Sequence, residues 1–370
     1  MGRERPGLGH WTRRGFFAAS ATFPSFLQAG SGDGFEADRK RFLDPTTEFE
    51  VIRLTDTSYS SYLPASFGRP LSKKGVTLVY ASDRAGSLQA FRMEIKTGVS
   101  KQLSNATLLD AASLNILPDD RGVCFFDGPA LVSVPFNSLK PRTVYEVPQG
   151  WEHAGGFTIS EDGMYALAVE KKDGRSRLRL IPMMKGGPTT LVDASGLIEA
   201  PQARPKRASA LYRLNGELWL VHFDGQQNRK LKTAVGECGP MHWAPDGRSA
   251  LYLNLPLDKT KLNNLREIVV DSGVDTYIAN TTQFVNFACN PDASVFVGAS
   301  GSKASPHVLL LLRLTKREFT LCEHKASDPK MVAPVFSPTS QRIYFESDRH
   351  GKPAIYTMSL ERIVEPTETY

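Results

Sequence analysis

The chain has 370 residues, of which 41% are hydrophobic and 23% are charged, and its formal net charge is +6. This length and apolar content can bury a sizeable core in one domain. The mild positive charge is spread along the chain, and the basic pairs Lys171-Lys172 and Lys206-Arg207 lack interleaved aromatic residues, so a nucleic-acid partner is not indicated. No Gly-x-Ser-x-Gly sequence is present, which argues against a hydrolase with a nucleophile elbow.

The first 30 residues resemble an export signal. Thr12-Arg13-Arg14-Gly15-Phe16-Phe17 is similar to the twin-arginine pattern, and a mostly apolar stretch follows from Ala18 to Ala29. That stretch is too short to span a bilayer permanently. We therefore expect residues 1–30 to direct export to the periplasm or beyond, and residues 31–45 to be a linker. The alternative is a disordered basic tail.

Strand patterns begin after residue 46. Glu48 to Leu54 alternates polar and apolar residues, as a half-buried strand does. Two similar hairpin sequences then lie near opposite ends of the chain, Ser82-Asp83-Arg84-Ala85-Gly86 and Ser347-Asp348-Arg349-His350-Gly351. Each follows an apolar β-rich run and precedes an aromatic residue, so each predicts a strand, an Asp/Gly turn and a second strand.

A second pattern, a polar turn that opens onto an apolar strand, recurs along the chain, and we call its copies anchor turns. They lie near residues 71, 118, 161, 205, 245, 291 and 338. A spacing of about 40–45 residues with short β-rich runs is typical of β-propeller blades. The sequence therefore predicts an all-β, seven-bladed propeller of four-stranded antiparallel blades over residues 46–362, with a tail at 363–370. Pairing of residues 48–54 with the last blade would close the ring.

Four cysteines, Cys124, Cys238, Cys289 and Cys322, show no CxxC spacing. Cys124 sits in an apolar strand pattern, which favours a buried free thiol. We expect no zinc site and no required disulfide, although an exported protein would permit pairing.

Loops that enter the inner strands of a propeller converge on one face of the ring, so residues just before the anchor turns are candidates for ligand binding. These positions supply a cation, two imidazoles, two amides and a carboxylate: Arg69, His153, His242, Gln202, Asn286 and Glu152. The set could hold a polar ligand such as a sugar or uronate, or its members could satisfy loop backbone instead. The last repeat offers Met331 and Ala333 at this place, so we expect no bound metal.

Three stretches carry a family resemblance: Glu50 to Thr55, Gly236 to Gly247, and Ser347 to Tyr356. Together with the repeat spacing, they make the chain resemble the oligogalacturonate lyases, seven-bladed propellers that cleave short pectin fragments. The chain is also similar to the broader propeller repeats of the TolB type. The resemblance extends from about residue 46 to about residue 362 on repeat phasing.

The resemblance implies β-elimination, in which a base removes the C5 proton of a galacturonate whose carboxylate is neutralised by manganese. It also implies three histidines and a glutamine around the metal, with an arginine and a histidine near the scissile unit. In this sequence Asn286, Met331 and Ala333 take the three metal-histidine positions. Glu217 takes the place of the arginine, and Pro240 that of the histidine, with His242 two residues on.

Two functions follow. The first is an exported propeller that binds an acidic oligosaccharide or a protein ligand at the central funnel, the latter as in TolB-like proteins, without a metal cofactor. The second is an active lyase that uses His242 or Glu217 as the base and Arg69 for the substrate carboxylate. Because elimination requires several convergent charged groups, these residues favour binding.

Overall fold

The computed structural model describes residues 30–258 and 260–364, and it is a ring of seven antiparallel sheets. The predicted all-β, seven-bladed propeller is confirmed. In the described residues, the helical segments are two 3₁₀ turns, at Ala111–Ser113 and Pro329–Met331. Five blades have four strands, whereas blades 1 and 7 have five.

The strands of each blade run from the channel outward. Blade 1 consists of β4 (Ser61–Tyr62), β5 (Thr77–Ser82), β6 (Gln89–Glu94), β7 (Ser100–Gln102) and β1 (Gly34–Phe35). Blade 2 consists of β8 (Asn115–Ile116), β9 (Gly122–Asp127), β10 (Ala130–Pro135) and β11 (Arg142–Glu146). Blade 3 consists of β12 (Glu152–Ile159), β13 (Tyr165–Lys172), β14 (Arg175–Pro182) and β15 (Thr189–Ser195).

Blade 4 consists of β16 (Ile198–Ala203), β17 (Ser209–Leu214), β18 (Glu217–His222) and β19 (Arg229–Lys230). Blade 5 consists of β20 (Glu237–Trp243), β21 (Ser249–Leu255), β22 (Asn264–Val269) and β23 (Val274–Asn280). Blade 6 consists of β24 (Phe284–Cys289), β25 (Val295–Ser300), β26 (His307–Leu312) and β27 (Arg317–Glu323). Blade 7 consists of β28 (Val335–Phe336), β29 (Arg342–Ser347), β30 (Ala354–Ser359), β3 (Glu50–Arg53) and β2 (Lys40–Leu43).

The anchor turns connect the inner strand of a blade to its second strand. In four of them an Asp carboxylate accepts a hydrogen bond from the backbone N–H two residues on, at 2.8–3.0 Å: Asp119, Asp162, Asp246 and Asp292. Gly163 and Gly247 follow with φ of 73° and 68°, which glycine adopts without strain. The Asp and Gly of the repeat are therefore set by local turn chemistry.

Hydrophobic core fills the spaces between neighbouring blades. Phe126 of blade 2 packs edge to face with Phe157 of blade 3, with ring centroids 5.7 Å apart, and both side chains are buried. Each blade thus covers the apolar face of the next, and every blade depends on the ring being closed.

The ring is closed by β3, which pairs antiparallel with β30, and Val51 lies opposite Met358. The predicted pairing of residues 48–54 with the last blade is confirmed. The outer edge of β3 is covered in turn by β2, so the closing strand is the fourth of five in blade 7.

Residues 31–45, expected to be a linker, contain the short strands β1 and β2. β1 pairs with β7 of blade 1 and β2 pairs with β3 of blade 7, so residues 34–43 connect the outer edges of the first and last blades. We call residues 34–43 the N-terminal strap. Its two strands extend blades 1 and 7 to five strands where four were expected.

All four cysteines are unpaired thiols. Cys124, Cys238 and Cys322 are buried and Cys289 is partly exposed. Among the residues that the structure describes, no helix is long and apolar enough to cross a membrane. The proposed export signal and most of the 363–370 tail lie outside the described residues.

Candidate functional site

In blades 3 to 6 the pairing between the inner strand and the second strand shifts register at a corresponding place, before the anchor turn. We call the face of the ring at which the inner strands begin the funnel face. The shifts lie between His153 and Phe157, Glu199 and Gln202, Cys238 and Met241, and Phe284 and Asn286. Bulges of this kind re-aim side chains and are frequent next to functional sites. Four blades therefore share one irregular layer around the channel.

Backbone strain lies in the same region. Ala200 has φ of 48° and Ala333 has φ of 34°, values that non-glycine residues adopt at a cost of about 1–3 kcal/mol. Both residues precede the channel-lining part of their inner strands. The strain is a second indication that the geometry of this layer is constrained by more than sheet pairing.

A central cavity of about 590 Å³ lies in the channel beside this layer. All seven blades line it, and its volume is within the roughly 300–1,000 Å³ that small-ligand sites occupy. Its lining includes Ser66 and Phe67, and also prolines of five anchor turns: Pro118, Pro205, Pro245, Pro291 and Pro338. The lining residues include the cations Arg69 and Lys73 and no carboxylate.

Arg69 lies in the cavity wall, as predicted from its position, and is held by blade 2. Its guanidinium forms an ion pair with Asp120, and one terminal nitrogen donates to the Leu117 carbonyl at 2.8 Å. The Asp120 carboxylate also accepts from the Lys73 backbone N–H at 2.8 Å. The guanidinium is thus fixed in orientation, with two of its five N–H groups directed at blade 2.

Gln202 also lines the cavity and ties blade 4 to blade 5. Its side-chain Nε2 donates to the Met241 carbonyl at 2.7 Å, and its backbone carbonyl accepts from Trp243 Nε1 at 3.1 Å. The side chain is nearly fully buried, so its hydrogen bonds hold the cavity wall in place.

His242 lines the cavity from β20. Its Nε2 has no hydrogen-bond partner and its ring packs edge to face with Phe287 at 5.0 Å. Burial lowers the pKa of His242 to about 4, against the opposing effect of the Phe287 backbone. The imidazole is therefore neutral at pH 7, and its unpartnered Nε2 is buried.

His153 lies outside the central cavity. Its ring stacks on Phe126 with centroids 3.7 Å apart, and its Nε2 is 3.1 Å from an oxygen of Asp110. Burial alone would raise the pKa of Asp110, but the interaction with His153 and the hydrogen bonds from the Gly156 and Ala112 N–H groups together outweigh it, and the pKa is lowered. His153 joins blade 3 to the loop of blade 2.

Asn286 and Glu217 lie nearer the rim of the funnel and do not line the cavity. The Asn286 amide donates to the Lys330 carbonyl at 2.6 Å. Glu217 is half-exposed at the start of β18 and forms an ion pair with Lys230. The structure thus brings Arg69, Gln202 and His242 together and leaves the other three candidates apart.

Lys73 was not predicted as a site residue. It belongs to the first anchor turn, whereas only residues before the anchor turns were considered. Phe67 lies just before that turn, beside Arg69, and nothing in a single sequence shows that its ring lines the cavity. A search of the anchor turns for unmatched cations would have found Lys73.

The donors at the metal positions implied by the resemblance do not fit manganese. Asn286, Met331 and Ala333 offer one amide oxygen and one thioether, whereas manganese prefers several oxygen or nitrogen donors. In residues 30–258 and 260–364, no three His, Cys, Asp or Glu side chains are grouped as metal ligands. We therefore derive no chemical step through a metal.

Comparisons with known proteins agree with the fold. No protein-family profile matches the chain. The chain is 23% identical over 366 residues to an oligogalacturonate lyase of Dickeya dadantii (strain 3937), a match that covers 85% of this chain and 94% of that protein.

Two solved structures have the same fold. A structure of oligogalacturonate lyase in complex with manganese superimposes with a TM-score of 0.84 at 20% identity, covering 90% of this chain and 98% of that chain. The oligogalacturonate lyase of Vibrio parahaemolyticus gives 0.83 at 21% identity, covering 90% and 99%. The chain is therefore an oligogalacturonate lyase-like seven-bladed β-propeller.

Proposed function

We propose that this protein binds a short acidic oligosaccharide in its central cavity. One observation carries the proposal: the cavity is lined by Arg69 and Lys73 and by no carboxylate. Its volume suits a ligand the size of a di- or trisaccharide. The sequence similarity to an oligogalacturonate lyase supports a uronate as the sugar.

The charges of the cavity support this choice of ligand. Asp120 offsets the charge of Arg69, but it lies behind the guanidinium and is not a lining residue. Lys73 is exposed and has no ion-pair partner in the described part of the chain. One cation is thus uncompensated, and charge-assisted hydrogen bonds to a carboxylate are about twice as strong as neutral ones.

Polar side chains surround these cations. His242, Asn115 and Thr158 line the cavity, and the Asn115 and Thr158 side chains are held by hydrogen bonds to backbone carbonyls of neighbouring blades. Trp243 adds an aromatic surface. A few fixed polar groups on a mostly apolar wall are typical of small-ligand sites.

Binding is favoured over elimination because the cavity lacks a suitable base. A general base works best when its pKa is near the working pH, whereas the pKa of His242 is about 4. Glu217 lies at the rim and is paired with Lys230. The second candidate function, an active lyase, is supported by the sequence similarity to an oligogalacturonate lyase, which covers 85% of this chain.

Binding is tested by titrating the purified protein with trigalacturonate in a calorimeter. Lys73→Ala is expected to weaken binding by about tenfold, since a lost charge-assisted hydrogen bond costs about 1.5–3 kcal/mol. Lys74→Ala is the matched control because Lys74 is an exposed neighbour that does not line the cavity. Equal affinity of both variants, or no binding by the parent protein, would contradict the proposal.

The lyase candidate is tested with di- and trigalacturonate plus manganese. We expect no absorbance from an unsaturated product, and no change in melting temperature on adding a chelator. Product formation together with near-stoichiometric manganese by elemental analysis would make elimination the better hypothesis.

Export through a twin-arginine signal remains our proposal for residues 1–30, of which 1–29 lie outside the described residues. Replacing Arg13 and Arg14 by Lys is expected to leave folded precursor in the cytoplasm. Replacing Arg3 and Arg5 by Lys is the control and should matter less. Fractionation followed by immunoblotting reads out the result, and unchanged secretion of the Arg13/Arg14 variant would refute the signal.

A further inference from the structure

The inner strand of blade 1 is interrupted where blades 3 to 6 have bulges. Tyr62 pairs with Ala81, and the next bridged residue is Leu71, opposite Leu78. The residues between, Leu63–Pro70, form no strand. Blade 1 thus contributes an eight-residue excursion at the channel wall.

This excursion reaches over blade 2. The Ala65 N–H donates to the Ala112 carbonyl at 3.1 Å, and the Arg69 N–H donates to Asn115 Oδ1 at 2.7 Å. Between them the Gly68 N–H donates to the Ala65 carbonyl at 2.6 Å, which folds the segment into a tight turn. The turn carries Ser66 and Phe67 at its tip.

Phe67 extends from the turn to blade 3. A Cβ added to Gly156 would lie 2.7 Å from Phe67 Cζ and 3.4 Å from the Ala65 Cβ, so the ring packs directly on the Gly156 backbone. Gly156 also has φ of 75°. A glycine is needed here both for the backbone conformation and for the approach of the ring.

The excursion is fixed at both ends. At its start, the Leu63 N–H donates to the buried carboxyl group of Glu346 in blade 7. At its end, the Arg69 side chain is tied to Asp120 and Leu117. Because of these contacts with blades 2, 3 and 7, the excursion is an ordered part of the propeller and not a mobile loop.

We propose that Leu63–Pro70 plugs the funnel end of the channel, so that small molecules enter the central cavity from the anchor-turn face. Ser66, Phe67 and the prolines of the anchor turns all line the cavity. In the proposed arrangement Ser66 and Phe67 form its closed end and the prolines form its mouth. Lys73 lies on an anchor turn, where it meets an incoming ligand first.

The plug restricts the ligand class, a consequence that rests on the proposed function. A saccharide enters end-on and stops at Phe67, so only the end of a chain can be bound. A polymer cannot pass through the ring. Short oligosaccharides and chain ends are therefore the ligands, and internal segments of a long chain are excluded.

The access route is tested without a saccharide, using the native Cys289, which lines the cavity. Pro245→Cys places an exposed thiol at the anchor-turn mouth, and Lys330→Cys places one on the funnel face. Each is coupled to a large polyethylene glycol maleimide at neutral pH. Modification of Cys289 by a small methanethiosulfonate is then followed by mass spectrometry at about pH 9, because burial raises the pKa of this thiol to about 12.

The polymer on P245C is expected to slow Cys289 modification about tenfold, and the polymer on K330C should leave the rate unchanged. Adding Phe67→Ala to the coupled P245C protein should restore the rate by opening the funnel end. Slowing by K330C alone, or equal effects of the two polymers, would overturn the plug. Because no ligand is used, failure of trigalacturonate to bind would refute the proposed function and leave this result standing.

Discussion

The free energy of unfolding of the Glu346→Gln variant is compared with that of the parent protein. As the pH increases from about 4.5 to 8.5, the difference between them is expected to change by about 3–5 kcal/mol in favour of the variant. Glu346 lies in β29 and is buried, and its carboxyl group accepts a hydrogen bond from the Leu63 N–H. Burial raises the pKa of its carboxyl group from 4.5 to about 8, against the opposing effect of that bond.

The sign follows from the protons bound in each state. Between pH 4.5 and 8 the folded protein keeps the Glu346 proton, whereas the unfolded chain has released it. The free energy of unfolding therefore falls by about 1.4 kcal/mol per pH unit through this window. Gln keeps an oxygen to accept the Leu63 N–H and has no proton to lose, so the variant escapes this fall.

The measurement is urea unfolding of parent and E346Q at a series of pH values. His242→Asn is an informative comparison because burial lowers the pKa of His242 to about 4. The stability due to neutral His242 is present above pH 6.5 and is lost as the pH falls towards 4, the opposite direction from Glu346. If the free energies of unfolding of the parent protein and E346Q changed in parallel with pH above 6.5, Glu346 would be ionised in the folded protein.

The number of blades could be predicted from the sequence because the anchor turns depend on local chemistry. Asp162 and Gly163 form their turn through contacts within a few residues, and Asp246 and Gly247 repeat it. A pattern set by local interactions recurs in the sequence wherever the turn recurs. The closing strand was also predictable, since Glu50–Arg53 alternates between exposed and buried residues.

The N-terminal strap could not be predicted because its strands are very short. β1 has two residues and β2 has four, which is too few for a period of two to be recognised. Their partners, β7 and β3, lie outside the segment. Only the tertiary structure shows that Phe35 and Phe42 have aromatic neighbours in different blades.

The candidate site was predictable in place but not in detail. Distance from the anchor turn correctly placed Arg69, Gln202 and His242 in the channel wall. It did not account for the bulges, which change the direction of side chains nearer the funnel. His153 consequently stacks on Phe126 of the preceding blade, a contact that sequence spacing cannot reveal.

Removing the N-terminal strap is expected to lower the free energy of unfolding by several kcal/mol. Phe35 packs edge to face with Phe91 of blade 1 at 5.4 Å, and Phe42 packs edge to face with His350 of blade 7 at 5.2 Å. The strap therefore connects the two blades at which the ring closes. Its loss would uncover aromatic surface on both blades and expose the outer edges of β7 and β3.

Polar contacts add to these ring contacts. Asp38 forms a 2.6 Å ion pair with Arg53, whose side chain is only 6% exposed, so deletion of the strap leaves a buried cation without its carboxylate. Arg39 donates to the Lys96 carbonyl at 2.9 Å. Breaking a buried pair by removing one partner costs about 3–5 kcal/mol in well-studied cases.

Single substitutions divide this effect into its parts. Phe35→Ala and Phe42→Ala are each expected to cost about 2 kcal/mol, below the 3–5 kcal/mol of a fully buried phenylalanine, because both rings are only partly buried. Leu43→Ala is the matched control, since Leu43 lies in β2 but is 66% exposed. Urea unfolding of these variants beside a form that begins at residue 46 provides the test. If F42A were no less stable than L43A, the strap would be a passive covering, and the closure of the ring would depend on β3 alone.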